Sequence, residues 1–596
     1  MKTADYVINF LADKGVDKIF VVYGAANGSL IDAFTRTDKT EYVCTMHEQA
    51  AGFAAEGYAK VSGLPGVAIA TSGPGGQNFV TPIANCYFDS VPCIFITGQV
   101  PTYVLNIGKV RQVGFQETDI VSVVKPITKY ARLVPGSMDI NWMLEKAWHK
   151  ATTGRPGPVL LDIPLDIQKS EMDPKPLITA AFDDHCYDIE TAYDHIDEYL
   201  HDLKHSERPV MLIGGGCRDA IEEFREVAMK LKIPCFPTWN ALDIVTSDFE
   251  YYGGRVGTYG GAGRNFGIQN SDLILIVGCR LSGRVTGGSE EQIKSFAPNA
   301  KKYLVDIDNA LLNQKSQRVE TDVNICCDAK VFLSALSDHI IGFVKTHDEW
   351  ATRVMEWKNK YDPVKGEYYA PQLYEYGIKI ISGKEYIHPY VFMRTLSLLM
   401  SKDDVLVGDC GGNIVALSHA FETKYGQRVL TNNGNSPMGF SFAAAIGCWF
   451  APHKGNIVCT IGDGGFNMNI QELQTLVNYG IKTKTFILNN HVYGITKQFQ
   501  ETNFEGRHEA CGPKGYKPPD FRKIVSAYGV KGIHIDPGDD LIGEITEVLE
   551  YDGPVVCDID MHDFHAYEPR ISNWDDPIHD MYPKLSREEF DGNMVR

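Results

Sequence analysis

Positive charge is the first deficit of this chain. Lys and Arg number 57 against 76 Asp and Glu, a formal charge of −19, which excludes sequence-independent nucleic-acid binding through a basic surface. Any phosphate must then be held by backbone amides and a metal ion. No uninterrupted apolar run reaches membrane-spanning length, and Met1-Lys2-Thr3-Ala4-Asp5 does not open a secretory signal. The expected location is therefore the cytoplasm, with no membrane contact. Low-complexity tracts and short-period repeats are missing. Gly214-Gly215-Gly216 does not complete a G-x-G-x-x-G fingerprint, which weakens a nicotinamide dehydrogenase reading. Zinc-knuckle spacing is also lacking. Cys326 and Cys327 are adjacent, and most of the 14 cysteines, such as Cys44, Cys93, Cys235, Cys279 and Cys459, sit singly in apolar segments. Free buried thiols in reducing surroundings account for them.

What remains is a globular composition, 44% hydrophobic and 22% charged, over 596 residues, enough for three or four domains. The recurring unit is a buried apolar strand that runs into glycine and then a helix. It reads as an α/β fold of three doubly wound parallel-sheet domains. The boundaries fall at 1–175, 190–345 and 380–561, followed by a polar tail, 562–596, that either drapes over the body or frays. Residues 169–184 read as a linker rich in Asp, Pro and Lys. A charged connector, 346–390, carries Glu367-Tyr368-Tyr369 and Tyr374-Glu375-Tyr376. Blocks one and three resemble each other coarsely.

Within the third block, Asn456 to Thr460 reads as a strand ending in Gly462-Asp463-Gly464-Gly465, and Thr483 to Leu488 as a second strand ending in Asn489-Asn490. A carboxylate, an amide oxygen and glycine N–H groups at adjacent strand ends suit a hard divalent cation bridging to phosphate. The competing reading is an ordinary glycine turn beside a helix-capping asparagine pair. In the first block, Glu48 follows a strand and opens an alanine-rich helix closed by Ser62-Gly63. Its carboxylate either complements the helix dipole or stands ready for proton exchange beside a glycine-lined cavity. In the second block, Arg280 and Arg284 follow a strand and either hold a phosphate or lie solvated on the surface.

Taken together, His47-Glu48-Gln49, Glu56-Gly57-Tyr58-Ala59, Thr71-Ser72-Gly73-Pro74-Gly75, Phe115-Gln116-Glu117-Thr118, Gly154-Arg155-Pro156-Gly157-Pro158 and the Gly462-Asp463-Gly464 to Asn490 signature resemble the thiamine-diphosphate enzyme superfamily. The likeness is to its acetohydroxyacid (acetolactate) synthase-like large subunits, over nearly the whole chain. The resemblance implies pyrimidine-binding, central and pyrophosphate-binding domains in that order. It implies Mg²⁺ on Asp463, Asn490 and the carbonyl of Val492, and a cofactor held by Cys410, Gly411, Asn413, Ser436, Met438, Gly462, Asp463, Gly464, Gly465, Asn490, Tyr493, Gly494 and Ile495. Glu48, Gln116 and Gly24 would be catalytic, with Glu48 on N1′ of the aminopyrimidine promoting loss of the thiazolium C2 proton. Phe115 and Phe499 would line the substrate pocket. The family's glycine stands as Ser436 here, its acceptor-pocket tryptophan as Phe499 and a nearby methionine as Ile495, which enlarges the pocket. Near Arg280 and Arg284 the resemblance leaves three alternatives: FAD in a structural role, ADP in its place, or neither. The implied activity is a carboligase joining a 2-oxo acid, pyruvate first among them, to a carbonyl acceptor. The alternatives are transfer to a keto-sugar or aldehyde, or simple decarboxylation. A homodimer or homotetramer is implied, since in this superfamily two chains serve one cofactor.

Overall fold

The computed structural model describes residues 1–173, 182, 189–313, 319–340, 342, 345–364, 378–381, 384–562 and 567–595. The tyrosine clusters at 368–376 and most of the 169–184 linker lie outside the described residues. The fold expected from the strand–glycine–helix repeat is the fold observed: three separate parallel sheets, each flanked by helices.

The N-terminal sheet holds β1 (Lys18–Val21), β2 (Glu41–Cys44), β3 (Gly66–Ala70), β4 (Cys93–Gln99), β5 (Tyr130–Leu133) and β6 (Pro158–Pro164), in the order β2-β1-β3-β4-β6-β5. The central sheet holds β7 (Pro209–Ile213), β8 (Cys235–Pro237), β9 (Leu273–Val277), β10 (Lys301–Asp306) and β11 (Val323–Cys326), in the order β11-β10-β9-β7-β8. A two-stranded antiparallel ribbon, β12 (Ile378–Ile381) and β13 (Lys384–Ile387), precedes the last sheet. That sheet holds β14 (Val405–Gly408), β15 (Arg428–Leu430), β16 (Ile457–Gly462), β17 (Lys484–Asn489), β18 (Lys531–Ile535) and β19 (Val555–Asp560), in the order β15-β14-β16-β17-β19-β18. Taken by position in its own sheet, this is the order of the N-terminal sheet, so the coarse likeness of blocks one and three is a shared topology. The central strands of each sheet are buried on both faces, which is why they read as continuous Val, Ile and Leu runs.

The two like sheets meet through one pair of helices, Glu48–Ser62 and Phe440–Phe450, the most extensively packed helix pair among the described residues. Small residues make this approach: a Cβ on Gly57 would overlap the Ala444 carbonyl, and one on Gly447 would overlap that of Ala54. Phe53 and Phe440 pack edge to face at 5.5 Å alongside. The described part of the C-terminal segment, 567–595, drapes over the body rather than fraying. Residues 570–595 strap across the central unit, where Asn265 Nδ2 donates to the Ile578 carbonyl at 2.6 Å and Tyr361 donates to Glu589 at 2.8 Å. Among the described residues no helix is long and apolar enough to cross a membrane, and the cysteines are free thiols.

Candidate active site

In open α/β sheets a ligand crevice opens where the strand order reverses, outside the carboxyl ends of the strands. In the N-terminal sheet that point lies between β1 and β3, and in the C-terminal sheet between β14 and β16. The expected site residues gather at these two places.

At the first, Gly24 follows β1 and lies against Thr71, where a Cβ would stand 2.5 Å from the threonine Cβ. Gly73, at φ +60°, rests on Gln116, whose carbonyl oxygen would be 2.8 Å from a Cβ there. Gln116 itself has φ 64°. That conformation is costly for a side-chain-bearing residue and is held from outside. Glu117 does the holding, accepting from the backbone N–H groups of Asn106, Val113 and Gly114 at 2.5, 2.8 and 3.0 Å. Burial works against the Glu117 carboxylate, but these three donors outweigh it and leave its pKa below the usual range. Glu48 is the first residue of its helix, capped by the His47 ring, which accepts from Gln49 N–H at 3.1 Å. One Glu48 oxygen accepts from Asn78 Nδ2 at 2.9 Å and the other faces Gly75. Gly24, Glu48 and Gln116 thus share one glycine-lined edge. Asn78, which orients Glu48, was not singled out from the sequence, although it stands just beyond the Gly75-Gly76 turn.

At the second place, Asp463 is the first residue of a short helix, Asp463–Met468, rather than part of a loop before a later one, because β16 runs on through Gly462. Asn490 follows β17 directly. One arm of its side-chain amide lies 2.8 Å from the Val492 carbonyl oxygen and 3.2 Å from Asp463 Oδ1. As an N–H that arm donates to both acceptors; with a cation between the groups the amide turns over and its oxygen becomes a third ligand beside theirs. Octahedral Mg²⁺ with ligands at about 2.0–2.1 Å sets adjacent oxygens about 2.9 Å apart, which matches this spacing. Burial pushes the Asp463 carboxyl up to about 7, eased by the Gly464 N–H and the Tyr516 hydroxyl. A bound cation would restore the charged form.

Around these three groups stand the other residues expected at the site. The Met438 methyl and the Tyr493 ring both press on Gly464, where a Cβ would meet them at 3.0 and 2.5 Å. Ser436 takes φ 54°, the conformation glycine adopts readily, so its main chain keeps a glycine-like path. Asp409 clamps this turn by accepting from the N–H groups of Gly439 and Ser441 at 3.1 and 3.0 Å, and burial pushes its carboxyl up to about 6. Gly411 and Gly462 face open space. The helices Gly412–Ala420 and Gly494–Asn503 begin on either side of the buried Tyr567, whose hydroxyl lies against both glycines. Among the described residues the Nδ2 of Asn413 is buried without a partner. Helix N-termini, open glycine faces and an orphaned donor make a cradle suited to a diphosphate. Ile495 is partly buried behind them. Asp409, Tyr516 and Tyr567 were missed in the sequence, since only folding brings them here.

Phe115 and Phe499 point outward from the two edges, 84% and 53% exposed, the latter edge-on to Phe504 at 5.7 Å. The two arginines part company. Arg284 lies over the rings of Trp239 and Tyr259, at 5.5 and 5.9 Å. Arg280 lines a cleft of about 550 Å³ between the N-terminal and central units, with Lys129, Lys150, Arg155 and Asp308. Burial, then the neighbouring Lys150 and Arg155, hold the Lys129 ammonium down at about 8 against the pull of Asp308, so an anion there would be welcome.

Three family models match in sequence order. They are the thiamine pyrophosphate enzyme N-terminal TPP binding domain over residues 1–123, the central domain over 196–336, and the C-terminal TPP binding domain over 409–559. The chain is 34% identical to a probable acetolactate synthase large subunit of Methanocaldococcus jannaschii, across 99% of this chain and 98% of the relative. It is 33% identical to the acetolactate synthase large subunit of Lactococcus lactis, across 93% and 91%. It is also 30% identical to the isozyme 2 large subunit of Escherichia coli, across 96% and 97%.

Proposed function

The chain belongs to the thiamine pyrophosphate enzyme family, as an acetolactate synthase-like, thiamine-diphosphate-dependent enzyme, and from that premise we propose that it is a Mg²⁺-dependent carboligase. Its donor is a 2-oxo acid, pyruvate first, which loses CO₂, and the remaining two-carbon unit is joined to a second carbonyl compound. The observation that carries the reading is the convergence of Asp463 Oδ1, the Asn490 side-chain amide and the Val492 carbonyl at cation-ligand spacing.

Thiamine diphosphate, when bound, supplies the carbon nucleophile and electron sink for decarboxylation. Asp463, Asn490 and Val492 hold the cation, while Gly411, Asn413 and Gly464 offer donors to the diphosphate. Met438 shapes the floor. Glu48, held by Asn78, exchanges a proton with the aminopyrimidine ring, and Gln116 faces the reacting carbonyls. In the homodimer proposed here, the Glu48 edge of one copy closes over the Asp463 edge of the other. Phe499 and Ile495, together a smaller pair than the tryptophan and methionine usual in the family, leave room for an acceptor other than pyruvate or 2-oxobutyrate, such as an aldehyde or keto-sugar. The basic cleft at Lys129, Arg155 and Arg280 suits the phosphates of FAD or ADP, and the absorbance spectrum of the purified protein distinguishes the two.

Incubation with pyruvate, thiamine diphosphate and Mg²⁺, followed by mass spectrometry, should show CO₂ release and a product of acetolactate mass. Release of CO₂ without a new C–C bond, across a panel of acceptors, would make it a decarboxylase instead. Failure to turn over any 2-oxo acid would end the proposal.

A further inference from the structure

The outer oxygen of Asp463 has its own partner. While Oδ1 faces the Asn490 amide, Oδ2 accepts from the Tyr516 hydroxyl at 3.1 Å. Asn467 Nδ2 donates to that same hydroxyl oxygen at 3.3 Å. An oxygen already accepting from an amide has its proton free for the carboxylate, so the direction of the bond is set. The Tyr516 ring is buried and stacks on Tyr493 at 4.2 Å with 25° between planes, and Tyr493 in turn covers Gly464.

Tyr516 reaches this place from a loop that is tied down along its length. Gln500 takes the N–H of Glu509 at 3.0 Å and donates to its carbonyl at 2.9 Å. Tyr493 N–H donates to the Cys511 carbonyl at 2.8 Å, and Tyr516 N–H to that of Gly512 at 2.7 Å. Residues that orient metal ligands from behind set ligand geometry and strength almost as much as the ligands do.

Resting on the reading of Asp463, Asn490 and Val492 as cation ligands, we propose that Tyr516 is a positioning residue for that cation: its hydroxyl holds Asp463 in the rotamer that presents Oδ1, and its ring shields the carboxylate from water.

Mn²⁺ titrated into the full-length protein with thiamine diphosphate present, followed by electron paramagnetic resonance, tests this without any turnover. Tyr516→Phe should weaken Mn²⁺ binding by about 10–100-fold and alter the bound-Mn²⁺ line shape, with unchanged circular dichroism. Asn467→Ala should shift both in the same direction by a smaller factor, and it carries the test if Tyr516→Phe does not fold. Unchanged or tighter Mn²⁺ binding in these variants, beside a binding wild type, overturns the role of Tyr516 and would make its ring a plug. A wild type that binds no Mn²⁺ removes the cation reading itself, and this inference with it.

Discussion

The Asn490 side-chain amide and the Val492 carbonyl oxygen meet 2.8 Å apart across a tight turn in which His491 has φ 63°. The end of a side chain thereby meets a carbonyl two residues on. The turn is braced by the His491 ring against Asp560 at 2.7 Å. Turned with its oxygen inward, the amide would share a cation with that carbonyl, as proposed above.

Asn490→Ala removes one of three ligands while leaving the backbone path alone. Thermal unfolding with and without thiamine diphosphate and Mg²⁺ should show the ligand-induced rise in Tm largely abolished. Cation affinity should fall by at least about 10–100-fold. A variant stabilised as fully as wild type would remove Asn490 from the site.

Glu48→Gln preserves the acceptor for Asn78 but cannot exchange a proton. Deuterium exchange at C2 of bound thiamine diphosphate should slow by roughly 10²–10⁴-fold, measured by quenched NMR. Mixed with Asn490→Ala chains under subunit exchange, it tests the proposed dimer. If one site draws Glu48 and Asn490 from different chains, half of the sites in each mixed dimer are intact, so activity should recover to about a quarter of wild type. No recovery would place both residues in the site of a single chain.

Gly447→Val presses a branched side chain into the Ala54 carbonyl on the facing helix. The helix pair must part, at a cost of about 1–3 kcal/mol or more, read as a lower urea midpoint. Gly63→Ala, at a helix end with φ 75° and open space around it, should cost less, about 1 kcal/mol, through backbone strain alone.

Asp162 is fully buried in β6, accepting from Thr97 Oγ1 at 2.7 Å and Gln99 Nε2 at 2.9 Å, yet burial outweighs both and pushes its carboxyl up to about 7. The folded state therefore binds a proton that the unfolded chain, with its carboxyl near 3.8, gives up at lower pH. Between those values the folded state carries more protons, so this group's contribution to stability is complete below pH 4 and is lost as pH rises through 7. Asp162→Asn should flatten that part of the stability–pH curve and raise stability at pH 8 by a few kcal/mol, as denaturant titrations from pH 5 to 8 would show.

How much of this was legible varies with distance along the chain. Gly462-Asp463-Gly464-Gly465 and Asn489-Asn490 could be placed at strand ends, because each is continuous with its own buried apolar run and glycine marks where the run stops. Glu48 could be placed only at the start of its alanine-rich helix; the strand before it is a short edge strand with no glycine at its end, and the role expected of Glu48 came from the family resemblance. The helix that begins at Asp463 was not legible, since nothing local distinguishes a glycine-rich loop from the first turn of a helix once a sheet supports it. Short edge strands such as Tyr130–Leu133 and Arg428–Leu430 escaped as well, being three or four residues with only one neighbour to specify them.

The sequence by itself determined the three parallel sheets and the residue types proposed to meet a cation and a diphosphate, through local apolar runs, glycine punctuation and the residues just beyond them. Only the tertiary structure decided which oxygen of Asp463 turns toward Asn490 and which toward Tyr516, that Asn78 holds Glu48, that Asp409 clamps the Ser436 turn, and that the C-terminal segment straps the central unit. Each of those joins groups tens or hundreds of residues apart, and their geometry exists only once the intervening chain has closed and packed.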